Sequence, residues 1–277
     1  MRMKLREFRA WKNKALTFMG MSGVGKTTLA SKLPKSTWFL YSGDYRIGTK
    51  YLSEPILDNI KKQAMQIPFL RELLRSDSIY IANNITVDNL APLSTFVGKL
   101  GDPRLGGLGL QEFKRRQSLH RRAEICAMRE IGEFIVKAKE IYGYSKFVND
   151  AGGSVCELND EKTIAHLGEH TLVVYIQADQ SLEQSLIERQ IDYPKPMYYQ
   201  QEFLDSQLDV YLQEQALTGS EEINPDAFVR WIFPRLLAHR RPLYESIAQR
   251  FGCTVEARAI ESVRDEADVL ALVEGAL

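Results

Sequence analysis

The sequence predicts an α/β fold in which helices cover both faces of a parallel sheet. Three observations predict it. Short apolar runs alternate along the chain with segments of helical spacing. One run, residues 171–177, is nearly all apolar, as expected of a central strand that is buried on both faces. Another, residues 15–19, leads directly into a glycine-rich loop that is followed by a helical segment.

The five apolar runs are predicted to be the strands of the sheet, and they occupy residues 15–19, 37–41, 146–149, 171–177 and 253–257. Nearly a hundred residues separate the second run from the third, whereas a helical crossover between parallel strands needs about a dozen. We therefore predict one domain over residues 1–277, with a helical insertion over about residues 52–143 that covers one edge of the sheet.

Helical spacing within the insertion predicts four helices, over residues 55–66, 68–75, 88–100 and 111–142. In the last of them, apolar side chains recur every three or four positions from Leu119 to Tyr142. The C-terminal third of the chain is also predicted to be mostly helical. There, Asn224-Pro225 is typical of a helix start and Gly252 of a helix stop.

Charge and composition exclude several classes of protein. The 277 residues include 36 basic and 36 acidic side chains, so the zero net charge gives no chain-wide field for holding nucleic acid or an anionic membrane. No run approaches the ~20 apolar residues of a membrane span. The three cysteines lie far apart, which argues against a disulfide framework or a structural zinc site. We predict a soluble, cytoplasmic protein.

The strongest motif is a phosphate-binding loop. Residues 20–27 read G-M-S-G-V-G-K-T, which matches G-x-x-x-x-G-K-[S/T] between a strand and a helix. Glycines let backbone N–H groups converge on a phosphate, and the helix N-terminus adds a partial positive charge. Lys26 is predicted to hold the β- and γ-phosphates of ATP, and Thr27 to bind Mg²⁺. The predicted ATP-binding residues are Gly20, Ser22, Gly23, Val24, Gly25, Lys26, Thr27 and Thr28.

An aspartate follows the second predicted strand. In a parallel sheet Asp44 and Lys26 would both project from the carboxyl ends of strands, where ligands bind. A carboxylate there can hold a metal ion or accept the proton of an attacking hydroxyl; the alternative is a helix cap or a turn aspartate. Arg46 can bind an anionic acceptor or form a surface ion pair.

At these residues the sequence resembles the shikimate kinase branch of the small P-loop kinases. The resemblance covers the phosphate loop and Asp44, then the chain from about residue 146 to the C-terminus. Four further stretches carry it, in the order found in the family: D-A-G-G-S-V at 150–155, V-V-Y-I at 173–176, E-R-Q-I-D-Y-P-K-P-M at 188–197 and R-R-P-L-Y-E-S-I-A at 240–248.

The resemblance implies a P-loop NTPase three-layer sandwich whose five parallel strands have the order 2-3-1-4-5. It implies that Asp44 orients or deprotonates the acceptor hydroxyl, and that Arg189 belongs to a mobile lid over the phosphates. It also implies that Gly152 and Gly153 form a turn against the acceptor and that Arg240 binds an acidic group of it.

Asp150 departs from the family pattern, in which a small polar residue introduces the glycine-rich turn. An acidic residue after a strand resembles the group that orients Mg²⁺ in many triphosphate-binding proteins, and the alternative is a turn aspartate that caps the next segment. Residues 150–153 also fit the D-x-x-G of GTP-binding switches, but the sequence has no N-K-x-D to read guanine.

Together these features predict a Mg²⁺- and ATP-dependent kinase for a small hydroxylated, anionic acceptor. Lys26, Asp44 and Arg189 are its predicted catalytic residues, and Thr27 with Asp150 its predicted metal ligands. Two alternatives remain open: an ATPase switch with a protein or nucleic-acid partner, and a nucleic-acid end kinase. A basic run at the start of the long predicted helix would favour nucleic acid if it were unpaired; it comprises Lys114, Arg115, Arg116, His120, Arg121 and Arg122.

Overall fold

The computed structural model describes residues 3–277 and contains one five-stranded sheet. All neighbouring strands are parallel, in the order β2-β3-β1-β4-β5. The strands are β1 Ala15–Met19, β2 Trp38–Ser42, β3 Lys146–Asp150, β4 Leu172–Gln177 and β5 Gly252–Glu256. The predicted fold class, strand order and five strands are confirmed, and no strand boundary moves by more than one residue.

The register of the sheet brings the ends of three strands together. Phe18 in β1 pairs with Asp150 in β3, and Asp150 pairs in turn with Ser42 in β2. All five residues of β1 are buried, because the strand lies between β3 and β4 with helices on both faces. The segments that leave β1, β2 and β3 therefore emerge side by side at one edge of the sheet.

Thirteen α-helices surround the sheet within residues 3–277. They are α1 Leu5–Ala10, α2 Lys26–Ser31, α3 Gly43–Arg46, α4 Ser53–Ala64, α5 Pro68–Arg75, α6 Ala91–Val97, α7 Leu110–Arg129, α8 Ile131–Glu140, α9 Glu161–His170, α10 Gln180–Asp192, α11 Gln201–Glu214, α12 Pro225–Phe251 and α13 Glu266–Gly275. A π-helix, Ile47–Tyr51, continues α3. No helix of this part of the chain is long and apolar enough to cross a membrane.

The single long helix predicted over residues 111–142 is wrong, because the chain bends at Glu130 between α7 and α8. Glu130 has φ −77° and ψ −11°, and its carboxylate accepts hydrogen bonds from Arg46 and Lys50. The helical spacing of buried apolar residues continues through the bend, since Ala127, Ile131 and Ala138 are all buried. The pattern therefore gives no sign of the interruption.

The helix predicted over residues 88–100 is wrong in its length, because α6 covers only Ala91–Val97. Before it, Thr86 and Asn89 close a turn by exchanging two backbone hydrogen bonds. After it, Gly98 adopts a positive φ of 70° and ends the helix. The starts of the other predicted helices of the insertion shift by at most two residues.

A second apolar cluster lies beside the main core. The first turn of α7, α11, the first half of α12 and the segments that precede these helices form it. Its buried members are Leu100, Phe113, Tyr199, Phe203, Leu204, Leu208, Tyr211, Ile223, Phe228, Ile232 and Leu236. This cluster anchors the segment that contains Tyr198 and Tyr199 against the body of the protein. It thereby fixes one wall of the cleft described next.

Candidate active site

The phosphate loop has the backbone conformation that its motif requires. Gly23 and Gly25 have φ of 92° and 101°, a region that side chains with a Cβ avoid. Helix α2 begins at Lys26, whose Nζ donates hydrogen bonds to the carbonyl oxygens of Gly20 (2.9 Å) and Met21 (3.0 Å). Burial lowers the pKa of Lys26, while the charges of Asp150 and Asp44 oppose that shift. The ammonium is thus held under the loop.

Thr27 and Asp150 meet at the edge of the sheet. The Thr27 hydroxyl donates a hydrogen bond to Asp150 Oδ2 at 2.6 Å, although the two residues lie 123 positions apart. Burial raises the pKa of Asp150, against the opposing effects of Lys26 and the Thr27 hydrogen bond. A hydroxyl and a carboxylate are hard oxygen ligands of the kind that Mg²⁺ prefers. This pair therefore fits the metal of a nucleotide–metal complex.

Asp44 lies in the first turn of α3, directly after β2. Burial raises the pKa of its carboxyl to about 6, although the charge of Lys26 lowers it. A Cβ placed on Gly152 would lie 2.8 Å from Asp44 Oδ1 and 2.7 Å from Glu124 Oε1. Glycine at this position therefore lets two carboxylates from distant helices approach the same point of backbone.

His120 lines the cleft and Glu124 lies behind it against Gly152; the sequence analysis named His120 only in a basic run and did not name Glu124. Glu124 is completely buried and its Oε2 accepts a hydrogen bond from the Ser154 hydroxyl at 2.6 Å, while its Oε1 has no partner among the described residues. Burial raises the pKa of Glu124 to about 8 and lowers that of His120 to about 4. Their four-residue spacing places them on the same buried face of α7, but that spacing alone does not mark either residue as part of a site.

The lid prediction concerns Arg189, near the end of α10. The side chain is exposed, and its Nη1 would lie 3.0 Å from a Cβ on Gly23, so the guanidinium sits against the phosphate loop. Within residues 3–277 it forms no ion pair. Tyr193 and Lys195 follow in an exposed segment without regular structure. Arg189 is therefore an exposed, unpaired cation next to the loop in the described part of the chain.

Arg240 does not have the free guanidinium that its predicted role requires. Only 3% of the residue is exposed, and its Nε donates to Glu157 Oε2 at 2.8 Å. Its remaining N–H groups reach the carbonyl oxygens of Gly153 (2.7 Å) and Tyr198 (2.8 Å). The side chain ties the Gly152-Gly153 turn to α12 and also lines the cleft, and its predicted contact with an acidic group of the acceptor stays a prediction.

Arg46 is engaged in a similar way. Its guanidinium forms an ion pair with Glu130 at 2.8 Å and stacks over the Phe134 ring at 4.9 Å. The sequence left an ion pair open as the alternative, and the structure shows one with Glu130. The contact with an anionic acceptor stays a prediction. The ion pair holds α3 against the bend between α7 and α8.

The basic run at the start of α7 is mostly paired. Lys114 pairs with Asp205, Arg115 and Arg116 pair with Glu112, and Arg121 donates to the Leu158 carbonyl. Arg116 and His120 are buried, so they present no charge at the surface. The run therefore lacks the open cationic face that nucleic acid binding would need.

A cleft of about 360 Å³ opens between the phosphate loop and these side chains. Ser22, Gly23 and Arg189 line the loop side. Asp44, His120, Ser154 and Arg240 also line the cleft, together with apolar residues of α6 and α12. Pockets of 300–1,000 Å³ are typical of small-molecule sites. The cleft thus places a small cavity directly in front of the loop.

Comparison with known proteins gives one kind of match. No family model matches the chain, and no curated protein matches it. Among solved structures, the chain is similar to shikimate kinase from Bacteroides thetaiotaomicron, with 14% identity over 95% of each chain and a TM-score of 0.42. A likeness at that identity and score does not extend to activity or substrate.

Proposed function

We propose that this protein is a Mg²⁺- and ATP-dependent kinase that transfers the γ-phosphoryl group to a hydroxyl of a small molecule. One observation carries the proposal: the Thr27–Asp150 pair, at 2.6 Å, adjoins a phosphate loop that opens onto a cleft with a second carboxylate, Asp44. An ATPase needs the loop and the metal ligands alone. A kinase also needs room for an acceptor and a group to take its proton.

Each residue has a role that follows from its position. Bound Mg²⁺-ATP supplies the phosphoryl group and a divalent charge. Lys26 and Arg189 stabilise the negative charge that develops during transfer, and Thr27 with Asp150 holds the metal. Asp44 takes the proton of the acceptor hydroxyl onto its carboxylate as the new O–P bond forms, while the bond from the γ-phosphorus to the β–γ bridging oxygen breaks and ADP leaves with that oxygen. The Gly153 carbonyl is fixed by Arg240 and Tyr244, which keeps the turn in place.

Asparagine in place of Asp44 tests the proposal. The amide that replaces the carboxylate cannot accept the proton, so Asp44→Asn should abolish transfer to any acceptor and leave binding of a non-hydrolysable ATP analogue nearly unchanged. Asp58→Asn, at an exposed position on α4, is the matched control. The measurement is ADP release with a library of hydroxylated metabolites, and full activity of Asp44→Asn would remove Asp44 from the chemistry.

The same assay separates the alternatives left open by the sequence. ATP hydrolysis that rises with a protein or a nucleic acid, and with no small acceptor, would indicate a switch. Phosphoryl transfer to a nucleic-acid end would indicate an end kinase. The paired basic run on α7 gives neither alternative specific support.

A further inference from the structure

A group of metal-ligating side chains lies apart from the cleft, at the C-terminal end of α9. His166, Glu169 and His170 occupy positions i, i+3 and i+4 of this helix, so all three project from one face. One ligand atom of each side chain lies within 4.8 Å of those of the other two. Two imidazoles and a carboxylate are thus brought together by about one turn of helix.

The group lies at the opposite edge of the sheet from the phosphate loop. Helix α9 leads through Thr171 into β4, whose first residue, Leu172, pairs with Leu16 near the start of β1. The phosphate loop instead follows Met19, the last residue of β1. Because β1 and β4 are parallel, the end of α9 and the loop are separated by the length of a strand. The group is therefore separate from the proposed nucleotide site.

His166 offers a ring nitrogen that has no other use in the fold. The side chain is half-buried, and its Nε2 is shielded from solvent without a hydrogen-bond partner among the described residues. The ring donates a hydrogen bond to the backbone of Arg129, which therefore comes from Nδ1. This bond leaves the lone pair on Nε2, as is usual for a histidine that binds a metal. Burial and then the charge of His170 lower the pKa of His166, so the ring is neutral at pH 7.

His170 is held next to His166. The centroids of the two rings lie 4.4 Å apart, with an angle of 61° between their planes. The His170 ring also packs against α8 at Gly132, where a Cβ would lie 2.8 Å from His170 Nε2. Bonds of about 2.0–2.2 Å place the ligands of one Zn²⁺ ion about 3.5 Å from each other. Small rotations of the exposed Glu169 and His170 side chains are therefore enough to complete the set.

The charges around the group favour a cation. The partial negative charge of the α9 dipole lies at this end of the helix, and Glu169 adds a full negative charge. Arg129, whose positive charge acts on His166, is paired with Asp160 at 3.0 Å. The local field therefore supports a bound divalent ion.

We propose that His166, Glu169 and His170 bind one Zn²⁺ ion, with a water molecule in the fourth position. Imidazole nitrogens favour zinc, whereas Mg²⁺ prefers oxygen ligands, so this site differs in chemistry from the Thr27–Asp150 pair. All three ligands belong to one short stretch of α9, so the ion stabilises the end of that helix. The inference does not depend on the proposed function, since none of the three ligands lines the cleft.

Zinc titration of the whole protein tests the proposal. The titration is done by calorimetry with Mg²⁺ in excess, so that sites built from oxygen ligands are already filled. We expect one Zn²⁺ per chain with a dissociation constant below about 100 μM, which is weaker than four-ligand sites because the site has three protein ligands. Co²⁺ in place of zinc should give the visible absorption of a tetrahedral ion.

Substitution of the exposed ligands makes the test specific. His170→Ala should weaken zinc binding at least about tenfold, and Glu169→Gln about threefold or more, because each removes one ligand. Lys162→Ala is the matched control, since Lys162 is exposed one turn earlier on the same helix, and it should bind zinc like the wild type. Both ligand side chains are exposed, so these variants should fold.

Thermal unfolding gives an independent measurement. Zinc should raise the unfolding temperature of the wild type and of Lys162→Ala, and raise that of His170→Ala much less, because the ion binds the folded helix. Several outcomes would overturn the inference: no zinc binding in excess Mg²⁺, an unchanged affinity in either ligand variant, an octahedral Co²⁺ spectrum, or an equal thermal shift in His170→Ala and the wild type.

Discussion

The two sides of the cleft are assembled in different ways. On the phosphate side, the loop, Lys26 and Thr27 come from one continuous run that leads from β1 into α2. On the opposite side, the polar groups come from α3, α7, the turn after β3, and α12. Neighbours on the first side are set by local backbone geometry, whereas neighbours on the second are set by how distant helices pack.

That difference determines which side chains are free to bind a ligand. The loop motif constrains its own glycines and lysine, so their positions follow from the run itself. On the opposite side each charged residue can find a protein partner, and Arg46 and Arg240 have done so. Where packing of distant helices places a charged residue in the site, its ion-pair partners within the protein must therefore be examined before a contact with a ligand is assigned to it.

Arg240→Met should have the largest effect, on stability. It would leave Glu157 buried without its guanidinium, which costs about 3–5 kcal/mol. Arg241→Met is the matched control, because its ion pair with Glu183 is exposed and worth about 0–1 kcal/mol. The measurement is the free energy of unfolding in urea. A second substitution, Glu157→Leu, should restore much of the loss. If Arg240→Met were as stable as the control and lost only acceptor binding, Arg240 would bind the acceptor directly, as the resemblance implies.

Lys26→Ala should have the next largest effect, on activity. Loss of a cation aimed at the developing charge should lower kcat by about 10²–10³-fold. Lys35→Ala is the control, since Lys35 is exposed between α2 and β2. Turnover with saturating Mg²⁺-ATP measures the effect. Unchanged kcat in Lys26→Ala would show that the loop does not hold the transferred phosphate. The loop motif would then not identify the phosphate side of the cleft.

Most of the fold follows from the sequence, and only part of the site does. The strands are recognisable because apolar runs alternate with helical spacing, and the loop because glycines and Lys26 have fixed positions in it. Glu124 is not recognisable as a site residue, because a glutamate on a helix with many charges is normally solvated. Its burial depends on Gly152 and Ser154, which follow the insertion in the sequence and contact the Glu124 carboxyl in the fold.

The smallest expected effect concerns Glu130, which holds Arg46 away from the cleft. Burial raises the pKa of Glu130, but hydrogen bonds from Arg46 and Lys50 outweigh burial and lower it to about 2. A carboxyl whose pKa is depressed in the folded state stabilises the protein above its unfolded pKa, near 4.5, and loses that contribution as pH falls toward 2. With solvent screening, we expect about 1 kcal/mol at neutral pH.

The measurement is the difference in unfolding free energy between the wild type and Glu130→Gln at pH 7 and at about pH 3. The difference should shrink at the lower pH, because the Glu130 carboxyl is then mostly protonated in the unfolded state and must lose that proton to form the ion pair with Arg46. Glu133→Gln, which removes only an exposed ion pair with Lys137, should show almost no such change. A difference independent of pH would mean that Glu130 does not hold Arg46, and Arg46 would again be available to the acceptor.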